Sequence, residues 1–150
     1  MSIVFIGSDH RGYQLKQALK EWLTKHEYVC QDVGNEKYEI DDDYTDFAIK
    51  TAEKTVANKA FGIVICGSGV GVCIAANKVK GARAALCTTV KQANLAREDD
   101  NANILCLGSD LVKVEESERI LETFLTTRFS SLERHVRRLN KINKYESTNN

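Results

Sequence analysis

The stretch FGIVICGSGVG, Phe61 to Gly71, decides the fold. Phe61 to Cys66 is a short apolar run of strand type. It ends on a cysteine, and glycines follow at 67, 69 and 71. Val72 to Lys78 then reads as a helix. Strand, cysteine, glycine turn and helix form the unit by which an α/β protein sets a reactive group beside an anion cradle. Glycines let successive backbone N–H groups converge without Cβ clashes. The helix N-terminus adds a positive dipole end, which favours a thiolate.

Outward from this unit, the apolar pattern alternates between short β-branched runs and longer amphipathic ones. Strands are expected at Ile3 to Gly7, Tyr28 to Val33, Phe61 to Cys66, Ala82 to Cys87 and Ile104 to Gly108. Between them, Leu15, Ala18, Leu19, Trp22 and Leu23 share one face of a helix from about Gly12 to His26. A second helix spans about Tyr44 to Asn58. A fourth, capped by Thr88 or Thr89, reaches about Asp99. Val114 to Thr127 is a fifth, with glutamates near its start as the dipole prefers. Ser130 or Ser131 can cap a last helix through Asn143, and Glu146 to Asn150 reads as a frayed tail. Five strands alternating with helices predict a three-layer α/β/α sandwich on a five-stranded parallel sheet, Rossmann-like, with an extra C-terminal helix. The 150 residues suit a single domain.

Composition narrows the function. Lys plus Arg and Asp plus Glu each total 21, so no bulk charge attracts nucleic acid or a membrane surface. No apolar run approaches the ~18 residues of a membrane span. Met1 to His10 turns polar too early for a secretory leader. The five cysteines, at 30, 66, 73, 87 and 106, form no C-x-x-C pair; an odd count in core segments points to reduced thiols in the cytoplasm.

Ligands of such sheets bind beyond the carboxyl ends of the strands. Three of those ends carry polar residues: Ser8-Asp9-His10, Cys66-Gly67-Ser68-Gly69 and Gly108-Ser109-Asp110. The glycine turn is not a Walker loop, because Val72 stands where a lysine is required. Its G-x-G-x-G spacing misses the dinucleotide fingerprint. It is not a cysteine-phosphatase loop, because the arginine needed six residues after the cysteine is also replaced by Val72. On the turn alone, a tight βα connection with a buried cysteine remains as good a reading as an anion cradle. Asp9-His10 can likewise be a capping aspartate beside an exposed histidine.

Taken together, Gly7-Ser8-Asp9-His10, Asp43-Tyr44, Cys66 to Gly71, Ala75 to Lys78, Gly81 to Ala84, Asn103 to Leu105, Gly108-Ser109 and Arg134-His135 with Arg138 resemble the ribose-5-phosphate isomerase B family, in order along nearly the whole chain. The resemblance implies isomerisation of an aldose phosphate to a ketose phosphate through a cis-enediolate, chiefly ribose 5-phosphate to ribulose 5-phosphate in the pentose phosphate pathway, with no metal and no cofactor. It implies Cys66 as the general base, with Ser68 orienting it. The amides of Gly67, Ser68, Gly69, Val70 and Gly71 would stabilise the enediolate. Asp9 and Tyr44 would meet the sugar, and His10, Arg134 and Arg138 the phosphate. It further implies a homodimer, or a tetramer as a dimer of dimers, in which the last helix and the turn after helix 4 serve the partner's site.

Three positions depart from the family pattern. Asp99 and Asp100 replace a histidine and asparagine, the histidine being the ring-opening residue. Asp110 replaces an arginine near the phosphate. Carboxylates near a dianion need compensation. Asp99 is the expected substitute for ring opening and Asp100 a substrate contact. The alternatives are a six-carbon substrate (allose or galactose 6-phosphate), a subunit of a heteromeric isomerase, and a sugar-phosphate binding module without turnover.

Overall fold

A computed structural model describes residues 2–149. The elements are β1 (Ile3–Ser8), α1 (Tyr13–Lys25), β2 (Val29–Gly34), α2 (Tyr44–Ala57), β3 (Phe61–Cys66), α3 (Val70–Ala76), β4 (Ala84–Leu86), α4 (Val90–Glu98), β5 (Ile104–Gly108), α5 (Val114–Thr126) and α6 (Glu133–Asn149). The five strands make one parallel sheet in the order β2-β1-β3-β5-β4. Crossovers between parallel strands are right-handed. The steps β1 to β2 and β4 to β5 run one way along the sheet and put α1 and α4 on one face, where α5 joins them. The steps β2 to β3 and β3 to β4 run the other way and put α2 and α3 opposite. The helix contacts follow this division, α1 and α4 touching α5, and α2 touching α3.

Alternate strand residues fill the two layers, as the period of two requires. Ile6, Ile63, Ile65, Leu105 and Leu107 meet Leu15, Leu19, Leu23, Ile120, Leu121 and Phe124 on one face. On the other, Val64, Ile104 and Cys106 meet Ala48, Ala52, Val72, Ala75 and Ala76. The alanine-rich face lets α2 and α3 lie close to the sheet, and that brings both helix N-termini to the glycine turn.

Three of the departures from the expected boundaries have a visible local setting. Helix α3 begins at Val70 rather than Val72, because Gly69 adopts a left-handed φ of 76° and starts the helix itself. Strand β4 begins at Ala84 rather than Ala82. The Arg83 N–H is taken by Asn103 Oδ1 at 2.7 Å and is not available to the ladder. Helix α6 runs to Asn149 instead of fraying after Asn143, and the Gly81 N–H donates to Glu146 Oε2 at 3.2 Å. Asn150 lies outside the described residues. Of the two candidate caps for α4, Thr89 accepts the Gln92 N–H at 3.1 Å.

A buried charge cluster anchors the end of β2. Lys16 on α1 has a fully buried side chain, and Asp32 is 16% exposed. Lys16 Nζ donates to Asp32 Oδ1 at 2.9 Å and to the Asn35 carbonyl, and Lys20 Nζ donates to Asp32 Oδ2 at 2.7 Å. Burial alone raises the pKa of Asp32, but hydrogen bonds from Lys20, Lys16 and the Gly34 N–H outweigh it and hold the carboxyl below its ordinary range. The cluster fixes the start of the 35–43 loop, which feeds the site below.

The cysteines, all free, differ in character. Burial pushes Cys30 up to about 11 and Cys87 up to about 12. Half-buried Cys73 is lowered to about 7, chiefly by a hydrogen bond with Cys106, with help from the Leu86 backbone and Asn77.

Two outcomes are expected. Asp32→Asn leaves Lys16 buried without its counter-charge, so urea unfolding at pH 7 should show a loss of about 3 kcal/mol. Because the folded pKa is lowered, Asp32's contribution is present above the unfolded value and fades as pH falls through the folded one. The gap to wild type should therefore narrow below about pH 4; a gap constant down to acid unfolding would refute this account. In the second, iodoacetamide at neutral pH should label Cys73 ahead of Cys30 and Cys87 by peptide mass spectrometry, since the thiolate is the reactive form. Equal labelling of Cys73 and Cys30 would contradict it.

Candidate active site

The strand order makes β1, β3 and β5 the three central neighbours, so the polar strand ends singled out in the sequence meet at one edge. Cys66 pairs with Gly108 in register, and Ser8 with Ile65. The turn after Cys66 folds over the end of β5. A Cβ on Gly108 would lie 2.6 Å from the Ser68 carbonyl carbon, and one on Gly69 would lie 2.8 Å from the Leu107 carbonyl carbon. The Ser109 and Asp110 N–H groups donate to the Cys66 and Gly67 carbonyls, each at 2.9 Å. Cys66 is thus held by backbone on both sides. Its sulfur is buried and accepts the Gly69 N–H at 3.2 Å. Ser68 is exposed, and its Oγ accepts the Val70 N–H at 3.2 Å. The Tyr44 ring, at the start of α2, covers Gly71.

From β1 come Asp9 and His10. Asp9 is buried, and its Oδ1 accepts the Gly12 N–H at 3.0 Å. This bond closes the 9–12 turn ahead of α1, whose N-cap is Gly12 with no side-chain cap, so Asp9 is not the helix cap of that reading. His10 is not the exposed histidine of that reading. Its backbone N–H donates to Asp42 Oδ1 at 2.9 Å, and Nδ1 lies 2.8 Å from the same oxygen. A carboxylate only accepts, so Nδ1 carries a proton and Nε2 is the free ring nitrogen. Asp42 is 5% exposed and also accepts from Asn35 Nδ2 at 3.4 Å. The 35–43 loop anchored by Lys16 and Asp32 thereby sets the orientation of His10. Asp9, His10 and Asp42 each offer a ligand atom within 4.8 Å of the others, a spacing compatible with a cation, although Asp42 Oδ1 already serves two donors of His10.

The remaining expected residues lie elsewhere in the chain. Helix α4 carries the chain back to the amino end of the sheet, so Asp99 and Asp100 stand opposite Cys66. Asp99 Oδ1 is 3.7 Å from His135 Nε2, and His135 Nδ1 is 2.6 Å from Ser130 Oγ. Asp99 is therefore grouped with the start of α6, where Arg134 and Arg138 are exposed. Among the described residues, no hydrogen bond or ion pair links this group to the Cys66 turn.

Two residues escaped sequence reasoning. Asp42 was hidden in a run of three aspartates within a polar loop. Arg11 follows His10, and its guanidinium lies against Gly67 and pairs with Asp110. The carboxylate expected to repel a phosphate thus has a cation beside it.

The arrangement offers a buried sulfur that accepts a turn amide, with buried Asp9 and a histidine held by a carboxylate at the neighbouring strand end. This suits proton transfer on a small polar anion. A family model for Ribose/Galactose Isomerase matches residues 4–142. The chain is 48% identical over 145 residues to a probable ribose-5-phosphate isomerase B of Mycoplasma genitalium, covering 95% of each. It is 46% identical to ribose-5-phosphate isomerase B of Mycobacterium tuberculosis, covering 97% of this chain and 90% of the relative. The structure of the Mycoplasma genitalium ribose-5-phosphate isomerase B with bound ribulose-5-phosphate aligns with a TM-score of 0.93 over 97% of this chain and 96% of that one, at 46% identity. The Clostridium thermocellum ribose-5-phosphate isomerase B aligns with a TM-score of 0.95 over 99% of each, at 42% identity. With its strand order, its cysteine-bearing glycine turn and these likenesses in agreement, the chain belongs to the ribose/galactose isomerase family.

Proposed function

We propose that this protein interconverts ribose 5-phosphate and ribulose 5-phosphate, with Cys66 moving the proton. The carrying observation is Cys66 itself, clamped between β5 and the Gly67 to Gly71 amides, in a chain nearly half identical to a ribose-5-phosphate isomerase B. In the forward direction the Cys66 thiolate removes the C2 proton of the open-chain aldose. The electron pair moves into the C1–C2 bond and the carbonyl π pair onto O1, giving a cis-enediolate. The amides of residues 67–71 stabilise that oxygen, the O2 proton passes to O1, and as the O2 pair forms the C2 carbonyl the thiol returns its proton to C1. Ser68 orients the reacting hydroxyl, Asp9 and Tyr44 hold the sugar, and His10 contributes to phosphate binding. The unpaired thiols, and the lack of a described helix long and apolar enough to cross a membrane, favour a cytoplasmic enzyme.

The working unit is a homodimer in this reading. Asp99, Asp100, Arg134 and Arg138 belong to the site by resemblance, yet within one chain they stand at the far end of the sheet. A second copy supplies them, and the exposed Val136 and Ile142 of α6, with Leu132 just before it, provide an apolar face for it. Asp99, beside buried His135, opens the sugar ring.

Mixing two inactive variants tests the shared site. Cys66→Ser alone should lose about 10²- to 10⁴-fold in kcat, and Arg134→Ala/Arg138→Ala should lose phosphate binding. Reassociated heterodimers hold one intact site each, so an equal mixture should recover about a quarter of wild-type turnover. No recovery, or a monomer by light scattering, would rule out the shared site. Asp99→Asn, assayed with ring-closed and with freshly opened substrate, should slow only the former; unchanged turnover on both removes the ring-opening role.

A further inference from the structure

The lip of the site carries an ion pair that packing does not explain. Arg11 and Asp110 are 55% and 56% exposed. Exposed pairs contribute little to stability. Yet this one is unusually well positioned. The Ser109 Oγ–H donates to the Arg11 carbonyl at 2.8 Å, fastening the backbone of residue 11 to the end of β5. The Arg11 side chain returns across Gly67, where any Cβ would collide with the guanidinium. Its Nη2 donates to Asp110, whose own N–H donates to the Gly67 carbonyl at 2.9 Å. Arg11, Gly67 and Asp110 thus close a triangle at the residue that follows Cys66.

Charge decides what such a triangle can do. A phosphate dianion approaching the Cys66 turn meets the Asp110 carboxylate, which repels it. Arg11 offsets that charge and keeps donors in reserve. A guanidinium has five N–H groups in a fixed fork. Among the described residues Asp110 is the only hydrogen-bond partner of this one. A recess of about 670 Å³, lined by Arg11, Gln14, Ser109, Asp110 and Lys113, leaves the guanidinium open to solvent. His10, the adjacent residue, presents Nε2 free. Two neighbouring residues of one turn are thus each oriented by an aspartate, His10 by Asp42 and Arg11 by Asp110, and the Arg11 guanidinium keeps unspent donors.

We propose that Arg11 is a ligand of the substrate's phosphate and Asp110 its positioning residue, the cation reaching the site from the turn after β1 and not from the end of β5. The proposal rests on the sugar-phosphate reading above and deepens it. Paired recognition by an arginine fork adds geometry as well as charge, and a lysine would not reproduce it.

The test uses the full-length protein with Arg11→Met, Arg11→Lys, Asp110→Asn and the exchange Arg11→Asp/Asp110→Arg. Two readouts are needed: kinetics on ribose 5-phosphate and titration with inorganic phosphate by calorimetry. Arg11→Met should raise KM about tenfold with kcat within about threefold, and weaken phosphate binding by a similar factor. Arg11→Lys should recover only part of that loss. Asp110→Asn should raise KM by a smaller factor, and the exchange should bring KM back towards wild type. That return separates a positioning role from a merely structural one. Unchanged KM and phosphate affinity in Arg11→Met, or a fall confined to kcat, overturns the assignment. Were wild type inactive on ribose 5-phosphate, the isomerase reading would fail, while the phosphate titration would still decide Arg11.

Discussion

The site depends on one close approach, that of the turn after β3 to the end of β5. Backbone meets backbone there, with no side chain between. Gly108 leaves room for the Ser68 carbonyl, and Gly69, in the left-handed region, turns the chain into α3 without striking Leu107. A Cβ at either point would push the two strand ends apart, and at Gly69 it would also strain the backbone. The hydrogen bonds from Ser109 and Asp110 to the Cys66 and Gly67 carbonyls form only because that gap is closed. Once it is closed, the Cys66 sulfur, the amides of the turn, the N-terminus of α3 and the carboxylate of Asp110 all have fixed places. The sulfur's place is thus specified by two glycines, one of which, Gly69, also donates its N–H to it.

What could be read from the sequence follows the range of the interactions. Strands β3 and β5 were legible to the residue, because continuous apolar runs bounded by glycine are local signals. The strand-to-helix turn that carries Cys66 was legible for the same reason, although the turn alone did not distinguish an anion cradle from a tight βα connection. Helix α3 started earlier than expected because the left-handed state of Gly69, and not apolar periodicity, sets its first turn. The start of β4 was misplaced because a side chain 20 residues away, that of Asn103, takes the Arg83 N–H. Arg11 and Asp110 are 99 positions apart, and His10 and Asp42 are 32 apart; local pattern carries no trace of either pair. Reading Asp110 alone as a repulsive carboxylate was sound electrostatics applied to half of a pair.

The same two ion types do different work at different depths. Lys16 and Asp32 are nearly shielded from solvent, so each needs the other, and Lys20 and the Gly34 N–H complete the set. Removing one member exposes a desolvation cost of several kcal/mol. That makes the cluster a structural pin for the 35–43 loop, and through Asp42 for His10. Arg11 and Asp110 sit in water, where their attraction is weak and the cation keeps most of its donors. Depth thus separates a pair that holds a loop from a pair that can meet a ligand, in a chain with zero formal net charge.

Helix α6 joins stability to function in the same way. It has 17 residues, yet only His135 and Leu139 are buried within its own chain. Helices in proteins draw most of their stability from a packed apolar face, and this one leaves Val136, Ile142 and Tyr145 exposed, as is Leu132 just before it. An unpaired apolar stripe of that length is expensive to keep in water and invites a partner. Arg134 and Arg138, which the proposed shared site takes from a second copy, stand on this same helix, and Asp99 is tied to its first turn through His135. In that proposal, a second copy covering the stripe would bring those side chains with it. Burial that stabilises the helix would then be the same event that completes the anion site, and selection on either property would preserve both.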